Sequence, residues 1–225
     1  MARKSMKSHP IGNSERIGYF GGTFDPPHRG HLAVARAARD HFQLDRVLLA
    51  PTGRQPLKPD GPAASWNDRY RMTELLCAGQ PGLEASTIDG PRPNGEPNYT
   101  ADTLRRLHLL LAADQSQESP QSPAKIFAIL GADAFLGLSK WREPEALFRL
   151  AEWIIVSRPG TPPSEIDAAG SETREPPPAI HPLNCVHDPV SATDLRRRLH
   201  TGEPCQDLLP APVLDYIRLH GLYTR

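Results

Sequence analysis

Twenty-five prolines are spread unevenly through the 225 residues, and their positions constrain the fold more than any other feature. Proline fixes φ and lacks a backbone N–H, so it breaks helix interiors and is kept out of central strands. Regular structure is therefore expected in the long proline-free windows, at 28–50, 63–80, 98–119, 124–143, 145–158, 190–203 and 213–225. The proline share is about twice the usual one, yet proline and glycine together stay below the level of a low-complexity chain. A hydrophobic content of 38% and a charged content of 23% fit a globular protein that buries a core without disulfides.

Within these windows strand and helix patterns alternate. Arg16–Phe20 reads as a short apolar strand and His31–Phe42 as an alanine-rich helix. Arg46–Ala50 is a buried strand that stops at Pro51. Ser65 and Asp68 form a capping pair for a helix over Ser65–Cys77, and Leu83–Ile88 is a further strand. Thr100–Ala113 carries Leu104, Leu107, Leu110 and Leu111 on one face, as an amphipathic helix does. Lys125–Leu130 and Trp153–Val156 are near-continuous apolar runs, which suit strands covered on both faces of a parallel sheet. Ala132–Leu138 and Glu143–Leu150 read as helices between them, Cys185–His187 as a last strand, and Ser191–His200 and Val213–His220 as closing helices. Repeated alternation implies right-handed βαβ units. The expected fold is α/β: a doubly wound, Rossmann-like, mostly parallel sheet flanked by helices, in a single domain over 16–225. Residues 1–15 are expected to be a disordered leader. Four loops are expected, at Pro51–Ala64, Gly90–Asn98, Gln115–Ala124 and Pro159–Pro182.

Charge narrows the function classes. Lys+Arg and Asp+Glu are equal at 26, so no general basic excess points to nucleic acid or a membrane surface. No apolar run approaches the roughly 20 residues that span a bilayer. Cys77, Cys185 and Cys205 lie far apart with no C-x-x-C spacing, which fits a reducing cytoplasmic setting.

The strongest chemical signal is the string Gly21-Gly22-Thr23-Phe24-Asp25-Pro26-Pro27-His28-Arg29-Gly30-His31, between the first strand and the first helix. In a doubly wound sheet that junction borders the ligand crevice. Gly21 and Gly22 permit close backbone approach, and the helix N-terminus beyond them favours phosphate. His28 and His31, three apart, share one side of a helical turn and can donate to phosphoryl oxygens. A Gly-Gly pair alone is usually just a turn, and two histidines at this spacing also occur as surface pairs or metal ligands. No third ligand lies nearby in sequence. Asp133 follows the Lys125–Leu130 strand and Gly131, where a carboxylate either binds ribose hydroxyls or caps a helix. Ser191 and Asp194 have capping-box spacing, which leaves Thr193, the helix start and Arg196 for phosphate. Arg197 and Arg198 read as a solvated basic face. Thr100 begins a helix and offers N–H groups to an anion, with an ordinary N-cap role as the alternative, and the two are compatible. Arg158, after the Trp153–Val156 strand, is placed to meet a phosphate.

The eleven-residue string resembles the GTFDPxHxGH signature of the nucleotidyltransferase superfamily. From about Arg16 to Arg225 the chain is similar to the bacterial nicotinate-nucleotide adenylyltransferase family. Pro51-Thr-Gly-Arg-Gln-Pro-Leu-Lys58 resembles that family's loop ending Pro-Pro-His-Lys, with Gln55-Pro56-Leu57 departing from it. Asn98-Tyr99-Thr100-Ala101-Asp102-Thr103-Leu104 resembles its SYT-x-x-TL, with Asn98 in place of serine. Gly131-Ala132-Asp133, Trp141 and Arg158-Pro159-Gly160 resemble its GAD, W and RPG elements, and Ser191–Arg196 its S-[SA]-T-x-[IL]-R.

The resemblance implies adenylyl transfer from ATP to nicotinate mononucleotide, giving deamido-NAD and pyrophosphate, with Mg²⁺ accompanying ATP. It implies catalytic roles for His28, His31, Lys58 and Arg196. ATP would meet Gly21, Gly22, Thr23, Phe24, Gly131, Asp133, Ser191 and Thr193. The mononucleotide would meet Tyr99, Thr100, Trp141 and Arg158, with Trp141 stacking on the pyridine ring where aromatic burial is the plain alternative. No nucleic-acid or membrane partner is implied, and a homo-oligomer is compatible with the sequence. A KMSKS-like loop expected of a class I synthetase and an RTEGIST-like motif expected of a cytidylyltransferase are absent. A non-catalytic nucleotide sensor on the same fold would be expected to lack one of His28, His31 and Arg196, and the sequence contains all three.

Overall fold

A computed structural model describes residues 14–57, 60–113, 122–157, 179–184 and 190–224. Six strands form one sheet: β1 (Arg16–Gly22), β2 (Arg46–Pro51), β3 (Leu83–Ala85), β4 (Lys125–Gly131), β5 (Glu152–Val156) and β6 (Ile180–Leu183). Their order is β3-β2-β1-β4-β5-β6, and every pairing is parallel. The chain runs outward from β1 to β3, then returns to β4 on the other side of β1. The order therefore reverses between β1 and β4, which opens a crevice at their C-terminal ends.

Side chains alternate along each strand, so every central strand feeds two cores. Val47, Leu49, Phe127, Ile129 and Ile154 join Ala35 and Ala38 of α1 (Arg29–His41), Met72 and Leu76 of α2 (Trp66–Cys77), Leu195 of α6 (Ala192–Thr201) and Val213 and Ile217 of α7 (Ala211–Leu219). Ile17, Leu48, Ile126, Trp153 and Ile155 join Leu104 and Leu107 of α3 (Thr100–Ala113), Phe135 of α4 (Ala132–Leu136) and Leu147 of α5 (Pro144–Leu150) on the opposite face. This is the doubly wound α/β sheet, with apolar strands covered on both sides.

Several elements depart from expectation. The expected loop over Pro159–Pro182 needs correction, while the strand expected at Cys185–His187 lies outside the described residues. The last described strand is Ile180–Leu183, so residues 180–182 are sheet rather than loop. Residues 158–178 and 185–189 lie outside the described residues. Pro182 is tolerated because β6 is an edge strand, where a missing N–H need not break an inner ladder. β3 ends at Ala85 rather than Ile88. The helix expected over Ala132–Leu138 stops at Leu136, and a 3₁₀ turn over Leu138–Lys140 follows Gly137. Leu110 is 59% exposed, while Leu104, Leu107 and Leu111 are buried. At about 100° per residue Leu110 falls off the stripe that those three share. The leader lies outside the described residues except for Ser14 and Glu15, and the Glu15 carbonyl accepts from Lys125 N at 2.8 Å. Among the described residues no helix is long and apolar enough to cross a membrane.

Candidate functional site

The β1–α1 turn lies at the reversal point. Gly21 and Gly22 pair with Ala50 and Pro51, and Thr52 N donates to the Gly22 carbonyl at 2.8 Å. A Cβ on Gly21 would stand 2.5 Å from the buried Tyr19 hydroxyl, so packing below the turn already requires glycine there. β1 pairs with β4 only as far as Tyr19↔Ala128, so Gly21 and Gly22 lie beyond that ladder, as Gly131 does at the end of β4. Phe24 then takes a left-handed conformation, with φ of 50°, and turns its ring into the core against Phe20 and His31. That conformation is uncommon for a bulky side chain.

Asp25 explains how the turn is held. Its buried carboxylate accepts from Ala63 N at 2.7 Å, Ala64 N at 3.1 Å and the Tyr223 hydroxyl at 2.7 Å. Burial and the nearby Asp25 charge push the Tyr223 phenol well up, so it remains a donor. Fully buried Arg69 donates to the carbonyls of Thr23 at 2.6 Å and Ala64 at 3.3 Å. Neither Asp25 nor Arg69 is among the site residues expected from the sequence. A charged residue placed among the turn and core residues was the available signal, because such groups are rarely buried without partners.

α1 begins at Arg29, which makes His28 its N-cap and His31 its third residue. The expected same-side pairing is present, with the two rings 3.8 Å apart between centroids. His28 N donates to His31 Nδ1 at 3.2 Å. With Nδ1 accepting, the neutral ring carries its proton on Nε2. Burial first, and the charge of His28 second, push the His31 imidazole well below the usual histidine range. His31 is thus a neutral N–H donor at pH 7. The folded-state value lies below the unfolded one, so its contribution to stability is present above about pH 6.5 and is lost as pH falls below that. The melting temperature of the wild type is expected to decline more steeply from pH 6.5 to 5 than that of His31→Gln, as parallel thermal melts would show. Equal slopes would contradict the neutral assignment.

Arg196 lies in the first turns of α6 and crosses to the β1–α1 turn. It donates to the Asp25 carbonyl at 2.7 Å and to the Thr193 hydroxyl at 3.3 Å. The Ser191–Asp194 capping box is not formed. Ser191 is the N-cap residue but makes no side-chain cap bond, and the Asp194 carboxylate, which would have to reach back to the Ser191 N–H, is instead taken by Arg197 at 2.9 Å and Arg198 at 2.6 Å. The basic face expected at Arg197 and Arg198 therefore spends its charge on Asp194 and Glu203. Gln55 accepts from the Thr23 hydroxyl at 3.2 Å, which ties the loop after β2 to the β1–α1 turn. Lys58 and Arg158 lie outside the described residues.

A second group of residues lines the other side of the crevice. Gly131 is the N-cap of α4, which excludes Asp133 as the cap and leaves its carboxylate exposed in the first turn. Asn98, buried just before α3, donates to the carbonyls of Asp89 at 3.1 Å and Gly90 at 2.8 Å and accepts from Arg54 N at 3.0 Å. The asparagine thus clips two loops to the start of α3 with a bonding set that a serine lacks. Below it, buried Asp89 accepts from the Thr103 hydroxyl at 2.7 Å, and burial raises its carboxyl. Tyr99 and Thr100 follow Asn98 at the helix start. Trp141 closes the 3₁₀ turn and is half-buried against the second core, so it is not one of the fully buried aromatics. Among the described residues no group of three or more His, Cys, Asp or Glu side chains is placed to hold a metal ion.

The chain is similar to known proteins along most of its length. The sequence profile of the cytidylyltransferase-like family matches residues 19–198. A protein of Roseiflexus sp. named "Probable nicotinate-nucleotide adenylyltransferase" is 40% identical over 94% of this chain and 99% of its own length. A protein of Gloeobacter violaceus with the same name is 39% identical over 93% of this chain and 96% of its own. Among solved structures, Plasmodium falciparum nicotinic acid mononucleotide adenylyltransferase complexed with NaAD superposes with a TM-score of 0.72. It is 17% identical and covers 93% of this chain and 97% of the other, so it supports the fold.

Proposed function

The chain belongs to the cytidylyltransferase-like family and, within it, to the nicotinate-nucleotide adenylyltransferases, and from that premise we propose how its residues carry the reaction. The enzyme transfers AMP from ATP to nicotinate mononucleotide, giving deamido-NAD and pyrophosphate. The mononucleotide phosphate attacks the α-phosphorus in line. One P–O bond forms there, and the bond to the pyrophosphate oxygen breaks. The nucleophile is already anionic near neutral pH, so no side chain has to remove a proton. Catalysis is then positioning and charge stabilisation.

The His28–His31 pair at the start of α1 carries this assignment. His31 Nε2–H and the α1 N-terminus face negative charge developing on the transferring phosphoryl group. Gly21, Gly22, Thr23 and Phe24 shape the turn against ATP, with Arg196 and Thr193 behind it and Ser191 at the α6 start. Gly131 and Asp133 meet the ribose. Lys58 is assigned to the leaving phosphates and Arg158 to the mononucleotide phosphate. Mg²⁺ would accompany ATP and would offset the charge of its phosphates. Balanced charge supports a protein without a nucleic-acid partner, and three widely spaced cysteines with no C-x-x-C pair support a reducing, cytoplasmic setting; its assembly, homo-oligomeric or otherwise, plays no part in this mechanism.

Direct transfer is tested with ATP labelled at the α-phosphorus. The label is expected in deamido-NAD, and none on the protein after rapid quenching. A labelled protein competent to react on would overturn the single-displacement reading. Tyr99, Thr100 and Trp141 form the mononucleotide side. Trp141→Ala is expected to raise KM for nicotinate mononucleotide about tenfold or more, the loss of one ring-stacking contact, and to leave KM for ATP nearly unchanged. Equal losses for the two substrates would return Trp141 to a packing role.

A further inference from the structure

The two segments assigned to the nicotinate ring, around Tyr99 and around Trp141, are laced together by charged side chains. Arg105 pairs with Glu143 through two N–H groups and also reaches Asp102 at 3.4 Å. Arg92 donates to the other Asp102 oxygen at 3.1 Å. These bonds already engage both carboxylates. Arg142 stands differently. Its guanidinium carbon lies 4.5 Å above the Tyr99 ring, a cation–π contact. The Asp102 and Glu143 oxygens nearest to it are 3.9 and 3.7 Å away. Those separations attract through charge but are too long for hydrogen bonds.

Arg142 is therefore fixed by a ring face and by the local field, while its N–H groups donate no hydrogen bond to another described residue. Among these five side chains three guanidinium groups face two carboxylates, which leaves one positive charge in excess within the cluster. That charge adjoins Trp141 in sequence and sits on the residue that precedes Thr100. A planar fork with unused donors, held beside the site of a pyridine ring, fits a carboxylate substituent on that ring.

We propose that Arg142 determines the choice between acid and amide, donating to the pyridine carboxylate of nicotinate mononucleotide and favouring it over nicotinamide mononucleotide. The inference rests on the placement of the mononucleotide between Thr100 and Trp141. A neutral carboxamide offers one carbonyl oxygen without the charge, and its NH₂ group opposes the donors of the guanidinium. Arg142 thus supplies discrimination, while the phosphates are held elsewhere.

The test compares kcat/KM for the two mononucleotides at saturating MgATP in the wild type, Arg142→Gln and Arg142→Lys. In Arg142→Gln the acid-over-amide ratio is expected to fall about tenfold or more, through KM for the acid, as loss of a charge-assisted bond implies. KM for ATP and kcat/KM for the amide should stay within about twofold, below what one such bond contributes. Arg142→Lys restores charge without the fork, so its ratio should lie between the other two. A ratio unchanged in both variants overturns the inference, and so does an equal loss for both mononucleotides. A wild type that turns over ATP with neither mononucleotide overturns the underlying reading, and this inference with it.

Discussion

His31→Ala is expected to lower kcat by roughly 100- to 1,000-fold, the cost of losing one preorganised donor to a developing oxyanion. The fold should survive, because His31 is half-buried and its ring packs on the edge of the first core rather than inside it. The Nδ1 acceptor for His28 N goes with the ring, so a modest fall in melting temperature is also expected. His31→Gln provides the sharper comparison. Its side-chain amide can present an N–H near the place of Nε2, and it should recover part of the lost rate. KM for either substrate should move far less than kcat, since the bond strengthens in the transition state. Turnover within severalfold of wild type in His31→Ala would remove His31 from the chemistry.

Asp25→Ala should produce the largest loss of stability. The carboxylate accepts two backbone N–H groups and the Tyr223 hydroxyl from inside the protein. Its removal leaves the buried Ala64 N–H and the partly buried Ala63 N–H and Tyr223 hydroxyl without their acceptor, and withdraws a negative charge beside Arg69. Breaking such a buried charged network costs about 3–5 kcal/mol. For a chain of this size that corresponds to a melting temperature lower by roughly 6–20 °C. Tyr223→Phe removes one donor and keeps the carboxylate, so its cost should be near 1 kcal/mol. Activity should fall with Asp25→Ala as well, because Arg196 and Arg69 both donate to carbonyls of the same turn. A melting temperature within about 2 °C of wild type would show that the turn is held by something else.

The sequence made the strands of the sheet readable because buried parallel strands are apolar without interruption. Lys125–Leu130 and Arg46–Ala50 appear as β4 and β2 almost residue for residue. It also made the His28–His31 pairing readable, since three residues on a helix is a fixed geometry. What it hid depends on partners distant along the chain. Asp25 meets residues 38 and 198 positions away, and no local pattern announces that. The Ser191–Asp194 spacing pointed to a capping box, but arginines three and four residues beyond Asp194 compete for the same carboxylate and win. β6 was hidden because Pro182 reads as a loop marker, and only its place on the sheet edge makes it harmless. Asn98 looked like a small departure from a serine. Its amide in fact joins the loops at Arg54 and at Asp89–Gly90.

The central claim is that this crevice joins ATP to a pyridine mononucleotide carrying a carboxylate. It is tested most directly by measuring pyrophosphate release from MgATP with nicotinate mononucleotide, with nicotinamide mononucleotide and with no acceptor. Release that depends on nicotinate mononucleotide, matched mole for mole by deamido-NAD, is the expected result. Release at the same rate without an acceptor, or none with nicotinate mononucleotide, would contradict it.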